Sequence, residues 1–190
     1  MSPIVLISAI AVLSACVAQQ PTIEYLDELT GITITHSRTP FVLSTEMSTD
    51  TAADAARDYV QIGAIEVNRM GALSYFLWLG ISEVTYSEPE RQHPEGFESI
   101  VFAVGDEGFQ LDIAGWTEGA IGASEPVYRK LFRDTVDAYY VVTTEQMQRL
   151  ADEEIITFRT VDPSPKKYVS WYQSDSARGD LTEFLTIVAQ

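Results

Sequence analysis

Leu73-Ser-Tyr-Phe-Leu-Trp-Leu79 is apolar at nearly every position and rich in aromatic side chains. Aromatic residues favour strands, and a strand that lacks polar alternation is one that its surroundings cover on both faces. The segment therefore predicts a central strand. Just before it, Asn68-Arg-Met-Gly71 supplies turn residues after the short alternating run Ile65-Glu-Val67. The two runs and the turn between them predict a β-hairpin.

Alternation of apolar and polar residues predicts more strands on either side of this hairpin. It is clearest in Gly31-Ile-Thr-Ile-Thr-His36 and in Phe109-Gln-Leu-Asp-Ile-Ala114. Gly105-Asp-Glu-Gly108 joins the second of these to a preceding apolar run and predicts another hairpin. The remaining candidate strands are Ser99–Val104, Ile155–Thr160 and Tyr168–Tyr172.

Helix signals are few and short. Thr143-Thr-Glu-Gln146 is a capping box, and it predicts a helix that runs to about Glu153 and buries Met147 and Leu150. Asp180-Leu-Thr-Glu183 is a second capping box, and it opens a C-terminal helix with an apolar stripe of Leu181, Phe184, Leu185 and Val188. We therefore predict a mainly β fold that borders on α+β. It is a single antiparallel β-sandwich-like domain with two short helices, the last at the C-terminus.

Composition restricts the classes of partner. The chain has 190 residues and a net charge of -16, with 12 Lys and Arg against 28 Asp and Glu. Such a surface repels phosphate backbones and anionic headgroups, so we expect no nucleic-acid partner and no membrane attachment through a basic patch. A single Cys excludes an intrachain disulfide framework and a Cys-rich zinc site. Because no glycine-rich phosphate loop occurs, we expect no nucleotide cofactor.

The N-terminus has the form of an export signal. Residues 1–15 carry no charged side chain, and the apolar run from Ile4 to Leu13 is too short to span a bilayer. The only Cys follows directly, in Leu13-Ser-Ala-Cys16. This resembles the lipobox of bacterial lipoproteins, a family in which the Cys thiol receives a diacylglyceryl group after export. The resemblance implies that residues 1–15 are removed and that the acyl chains on Cys16 hold the mature protein.

The resemblance also implies a location and a domain plan. Positions 17 and 18 are Val and Ala, and neither is the Asp that tends to retain a lipoprotein at the inner membrane of enteric bacteria. We therefore expect attachment to the outer membrane of a Gram-negative cell, facing the periplasm. Residues 16–24 are the expected tether and residues 25–190 a single β-rich domain. Several tracts of that domain resemble uncharacterised proteobacterial lipoproteins: Arg57–Gly63, Glu66–Gly71, Tyr75–Gly80 and Ala114–Trp116.

One irregular segment is a candidate binding loop. Leu111–Tyr128 contains three glycines, a Trp and a Pro without a helix or strand period, and such segments are often functional. Trp116, Glu118 and Glu125 are its candidate binding residues. The structural alternative is that Trp116 plugs one end of the domain.

Catalytic and metal sites are less well supported. Asp112, Glu118 and Glu125 are candidate acid and base groups for a glycan- or peptide-cleaving envelope hydrolase. Neither histidine, His36 or His93, has spacing that nominates a catalytic triad, and the acidic loop before Ser99 lacks a calcium-loop pattern. We therefore expect no metal and no catalytic residue. The favoured interpretation is a non-enzymatic envelope lipoprotein that binds a protein or envelope polymer or serves in assembly, and the hydrolase is the alternative.

Overall fold

The structure is a computed structural model that describes residues 19–45, 57–83, 93–105, 107–161, 165–170 and 175–189. The predicted leader, residues 1–15, and the predicted lipid site, Cys16, lie outside these ranges. The strands are β1 Thr22–Asp27, β2 Ile32–Ser37, β3 Phe41–Thr45, β4 Tyr59–Arg69, β5 Ala72–Ser82, β6 Ser99–Ala103, β7 Phe109–Gly115, β8 Val136–Val141, β9 Thr157–Thr160 and β10 Lys167–Ser170. The helices are α1 Thr144–Asp152 and α2 Asp175–Val188, with a short 3-10 turn at Glu118–Ala120.

The fold is mainly β, as predicted, but the sheet closes into an eight-stranded antiparallel barrel, so the predicted sandwich is wrong. Around the barrel the strands follow the order β4, β3, β10, β9, β6, β7, β8 and β5, and β5 pairs again with β4. The closing pair has eleven residues in each strand. Strand β4 is long enough to pair with β3 through its first half and with β2 through its second. The β1–β2 hairpin therefore extends the sheet outside the barrel.

Strand β5 is the central strand that its sequence predicted. It pairs with β4 on one edge and with β8 on the other. Its residues from Phe76 to Ile81 are buried on both faces. Leu77 and Leu79 face the barrel interior, whereas Phe76 and Trp78 belong to a second apolar cluster outside the barrel. The barrel wall is thus covered on two sides at β4, β5 and β8.

Large side chains fill the barrel interior. The fully buried ones include Leu43, Phe97, Phe102, Tyr140, Phe158, Tyr168 and Phe184. Phe158 and Tyr168 stack with ring centroids 4.8 Å apart, and the Tyr140 hydroxyl donates to the Phe97 carbonyl at 2.5 Å. An internal cavity beside Ser37, Phe41 and Leu181 measures only about 10 Å³. Because a water molecule needs roughly that much volume, this part of the barrel is a packed core and not a ligand chamber.

Both predicted hairpins form. Asn68 and Gly71 bracket the turn between β4 and β5, where Arg69 pairs with Ala72. Met70 and Gly71 both have positive φ, 54° and 91°, as the two central residues of a type I′ turn require. The Asn68 side chain accepts a hydrogen bond from the Gly71 amide at 2.8 Å. Strands β6 and β7 form the second hairpin.

The first predicted helix is confirmed, and the second begins earlier than predicted. In α1 both halves of the capping box between Thr143 and Gln146 are present, and Met147 and Leu150 are buried. Helix α2 starts at Asp175, so the capping box proposed at Asp180 lies inside the helix. The Asp180 carboxylate instead accepts a hydrogen bond from the Thr39 amide at 3.0 Å. The predicted apolar stripe is buried, as expected.

Strand β1 begins at Thr22 and therefore starts within the segment 16–24 that the sequence suggested as a tether. Its backbone joins the sheet through β2, and the Pro21 carbonyl accepts a hydrogen bond from the Arg38 amide at 2.8 Å. None of the helices in the described ranges combines the length and apolar character that crossing a bilayer requires.

Candidate functional site

Residues 116–135, hereafter the covering segment, pack on the outer face of the barrel wall, except for Trp116, which packs against the barrel core. They contribute to an apolar cluster composed of Ile32, Ile34, Ile65, Val67, Phe76, Trp78, Ile121, Ala123, Tyr128 and Tyr139. This segment contains most of the irregular stretch that the sequence singled out. Because the apolar residues of this segment bury the outer face of β5, polar and apolar residues do not alternate in that strand.

Tyr128 is the main anchor of the covering segment. Its ring stacks on Trp78 at a centroid distance of 4.8 Å and meets the His36 ring edge-on at 4.8 Å. The ring occupies the space that a β-carbon on Gly63 would need. The Tyr128 hydroxyl donates to the Ala64 carbonyl at 2.8 Å and lies 3.0 Å from the Ser37 hydroxyl. Burial raises the pKa of Tyr128 and lowers that of His36, so both are neutral at neutral pH.

Asp27 ties the covering segment to the β1–β2 hairpin. Its carboxylate accepts hydrogen bonds from the Ser124 amide at 2.6 Å and from the Ser124 hydroxyl at 2.8 Å. It also accepts from the amides of Leu29 and Thr30 within its own turn. These donors, led by the Ser124 amide, lower the pKa of Asp27 to about 2. The carboxylate therefore fixes two loops together in its ionised form.

This arrangement predicts an acid-sensitive contribution to stability. Because the folded pKa of about 2 lies below the ordinary value of 3.8, ionised Asp27 stabilises the fold above about pH 4, and the contribution is lost as the pH falls toward 2. We expect Asp27→Asn to lower the urea midpoint at pH 7 and to flatten its fall between pH 4 and pH 2. Glu28 is the next residue and is exposed, so Glu28→Gln is the control. If the urea midpoint of Asp27→Asn falls between pH 4 and pH 2 as steeply as that of the wild type, Asp27 does not have this role.

Strands β1 and β4 end on the same side of the sheet, at Asp27 and Arg69, and three loops meet there. They are the β1–β2 turn, the β4–β5 turn and residues 118–125 of the covering segment. The Asp27–Ser124 hydrogen bonds join the first to the third, and the Arg69 guanidinium lies against Gly122 to join the second to the third. We call this end the distal surface. The Asp27–Ser124 hydrogen bonds and the Arg69–Gly122 contact hold its three loops together.

Exposed apolar side chains dominate the distal surface. Met70 is 99% exposed and Leu29 is 83% exposed, each at the tip of its hairpin. Leu26 and Leu73, also exposed, lie in one cross-strand row, in which Leu26 pairs with Thr33, Thr33 with Asn68 and Asn68 with Leu73. Side chains opposite one another in antiparallel strands share a face. The two leucines of the row, which Thr33 and Asn68 separate, and the two tips therefore expose four large apolar side chains at one end of the molecule.

The structure separates the three candidate binding residues. Trp116 is half-buried, packs against the barrel core and stacks on His93 with centroids 4.4 Å apart and planes 2° apart. Glu118 opens the 3-10 turn and is half-buried near Tyr139. Glu125 is exposed beside Tyr25. The two glutamates thus belong to the distal surface, and Trp116 lies against the barrel core.

The third candidate carboxylate of the hydrolase hypothesis, Asp112, lies on β7. It is exposed and accepts hydrogen bonds from the Ser99 hydroxyl at 2.8 Å and the Gln110 amide at 3.1 Å. These bonds, led by that of Gln110, lower its pKa. A general acid needs a raised pKa, so Asp112 suits that role poorly. Among the described residues, no group of three or more His, Cys, Asp or Glu is placed to hold a metal ion.

The residues that sequence reasoning missed are Leu29 and Met70. The turn Asn68–Gly71 was recognised, but the apolar residue at its tip was not treated as a signal. A large apolar side chain at a position of positive φ has no packing role inside the hairpin, and its presence there is informative. No protein-family model matches the chain, and no curated protein or solved structure gives a significant match.

Proposed function

We propose that the protein is a lipid-anchored, non-enzymatic envelope protein that binds another protein through its distal surface. The observation that carries the proposal is the exposure of Leu29 and Met70 at two adjacent hairpin tips, with Leu26 and Leu73 beside them. Large apolar side chains exposed together at one end of a folded protein are typical of a surface that a partner covers.

Charge defines the kind of partner. Glu28 lies next to Leu29 in the turn, and Glu118 and Glu125 border the same end of the molecule. The chain as a whole carries a net charge of -16. A second copy would bring two acidic rims together, which is unfavourable. We therefore propose a different protein of the periplasm, whose docking surface is apolar at its centre and basic at its edge.

The proposed anchor agrees with the direction of β1. The strand starts at Thr22, six residues after Cys16, and ends at Asp27 beside the distal surface. A strand rises about 3.4 Å per residue, so β1 carries the chain about 20 Å away from its point of entry. Acyl chains on Cys16 would thus leave the distal surface directed away from the membrane, where a periplasmic partner can reach it.

Site-specific photo-cross-linking in cells tests the proposal. A photoreactive residue in place of Met70 should give one discrete adduct, and the same residue in place of Arg159, exposed on β9, should not. Adding Leu29→Asp should reduce the Met70 adduct about tenfold, as expected for an apolar residue at the centre of an interface. Equal adducts from Met70 and Arg159, or none from Met70, would refute the distal surface as the binding site.

A further inference from the structure

A second exposed apolar site lies at the opposite end of the barrel, and it is basic. Arg129-Lys-Leu-Phe-Arg133, hereafter the basal loop, contains three of the 12 basic residues of the chain. Leu131 is 51% exposed and Phe132 is 46% exposed. One acidic residue, Asp134, follows. The loop thus carries three basic residues on a protein of net charge -16.

The fold holds the basal loop in place while its apolar side chains point outward. Lys130 forms an ion pair with Asp137 at 2.7 Å and donates to the Thr135 carbonyl at 3.1 Å. The Leu131 amide donates to the Gln61 side chain at 2.8 Å. Phe132 contacts the ring of Tyr59 at a centroid distance of 5.7 Å. The loop is therefore preorganised, and docking on a surface would not require it to fold first.

Two arginines of the basal loop are exposed. Arg129 and Arg133 are both exposed, and no ion pair to a carboxylate is found for either within the described ranges. The guanidinium group binds phosphate through paired hydrogen bonds. Two exposed arginines that flank an exposed Leu-Phe pair match a phospholipid surface, in which phosphates lie just above the acyl chains.

The basal loop is also at the end of the barrel from which the chain would reach a membrane. Thr22 pairs with Ser37, whose hydroxyl accepts a hydrogen bond from the Ala64 amide at 3.3 Å. From Ala64, β4 runs five residues back to Tyr59 beside the basal loop, a distance of about 17 Å. The six residues from Cys16 to Thr22 can span about 20 Å. The lipid site can thus reach the level of the basal loop.

We infer that the basal loop docks on an anionic phospholipid surface, with Leu131 and Phe132 at headgroup depth and Arg129 and Arg133 on lipid phosphates. The inference rests on the proposed function because it presumes a protein held at a membrane. It also modifies the expectation drawn from net charge, which excluded a basic patch. Of the described carboxylates at this end, Asp137 is paired with Lys130, and Asp58 and Glu83 are paired with Lys166. Lipid anchor and loop together would then fix the orientation of the barrel.

Vesicle co-sedimentation of the full chain carrying Cys16→Ser tests the loop without acylation. Binding to phosphatidylcholine vesicles that contain phosphatidylglycerol should exceed binding to phosphatidylcholine alone. Arg129→Gln with Arg133→Gln should weaken that binding about 30-fold, since each basic residue near such a surface contributes about a fivefold factor. The matched control is Arg159→Gln with Lys167→Gln, which removes the same charge from the outer face of β9 and β10. An equal loss in both double variants, or in neither, would overturn the inference.

A dye on a single introduced cysteine gives an independent measurement. With Cys16 replaced, the chain has no other Cys, so Phe132→Cys and Met70→Cys each offer one labelling site. An environment-sensitive dye should shift to the blue on phosphatidylglycerol vesicles at position 132 and not at position 70. The absence of a shift at 132 would refute lipid contact. The lipid anchor is tested separately: fatty-acid labelling of the protein in cells should be lost when Cys16 is replaced. The proposal for the anchor and the proposal for the basal loop can therefore be refuted independently.

Discussion

Replacement of Tyr128 by alanine is expected to lower the free energy of unfolding by about 3–5 kcal/mol, the usual cost of removing a buried aromatic side chain. The ring packs between Trp78, His36 and the backbone of Gly63, and its hydroxyl bonds to the Ala64 carbonyl. Tyr128→Phe keeps the ring and should cost about 1–2 kcal/mol, the value of the lost hydrogen bonds. Urea denaturation followed by circular dichroism measures both, with the slope checked for two-state behaviour.

A double-mutant cycle with Gly63 isolates the contact itself. Gly63→Ala should destabilise the wild type by about 2 kcal/mol because the new β-carbon overlaps the Tyr128 ring. In the Tyr128→Ala background the same change should be close to neutral. Gly179→Ala, in helix α2 where a β-carbon meets nothing within 4 Å, is the control and should stabilise by up to about 1 kcal/mol. Additive effects of Gly63→Ala and Tyr128→Ala would show that the covering segment is not held by this ring.

Local features of the fold could be predicted because neighbouring residues in sequence determine them. The β4–β5 hairpin depends on Asn68 and Gly71, and the start of α1 depends on Thr143 and Gln146. The absence of alternation in β5 correctly predicted cover on both faces. What covers the outer face, residues 116–135, could not be predicted, because an irregular segment has no period that assigns it to a layer.

Closure of the barrel could not be predicted for a related reason. A side chain that faces a barrel interior and one that faces a second sheet produce the same alternation. Strands β1, β3 and β8 were also missed. In β8 the polar residue Asp137 occupies a buried position because it accepts a hydrogen bond from the Trp78 indole at 2.9 Å. In β1 the exposed Leu26 interrupts the pattern, because it belongs to the distal surface and not to the core.

The candidate sites show the same division between local and long-range information. Glu118 and Glu125 were singled out from an unusual local sequence, and they border the distal surface. Leu29 and Met70 come from two different turns and lie 41 positions apart in the sequence. Only the pairing of β2 with β4 brings the two tips together. A surface assembled by strand pairing has no signature in any single segment.

Lys166→Met is expected to destabilise the protein by about 2–3 kcal/mol. The Lys166 ammonium group bonds to the Asp58 carboxylate at 2.7 Å and to the Glu83 carboxylate at 2.6 Å. Asp58 immediately precedes β4, and Glu83 follows β5, so the lysine joins the ends of the two strands that close the barrel. Burial alone would lower the pKa of Lys166, but the two carboxylates outweigh burial and raise it. The cation is therefore stabilised by both partners.

We expect the loss of stability in Lys166→Met to arise mainly from the two carboxylates. Their side chains are only 13% and 8% exposed, and without Lys166 two like charges remain in a poorly solvated site. The lysine itself is 34% exposed, so we expect a smaller destabilisation than for breaking a fully buried ion pair.

Lys167→Met, the same change at the exposed neighbour, should alter stability by less than about 0.5 kcal/mol. Adding Asp58→Asn and Glu83→Gln to Lys166→Met should recover most of the loss, because two neutral side chains do not repel each other in a poorly solvated site. If the triple variant is no more stable than Lys166→Met alone, the lysine acts through packing, and the ion cluster does not hold the closing strands.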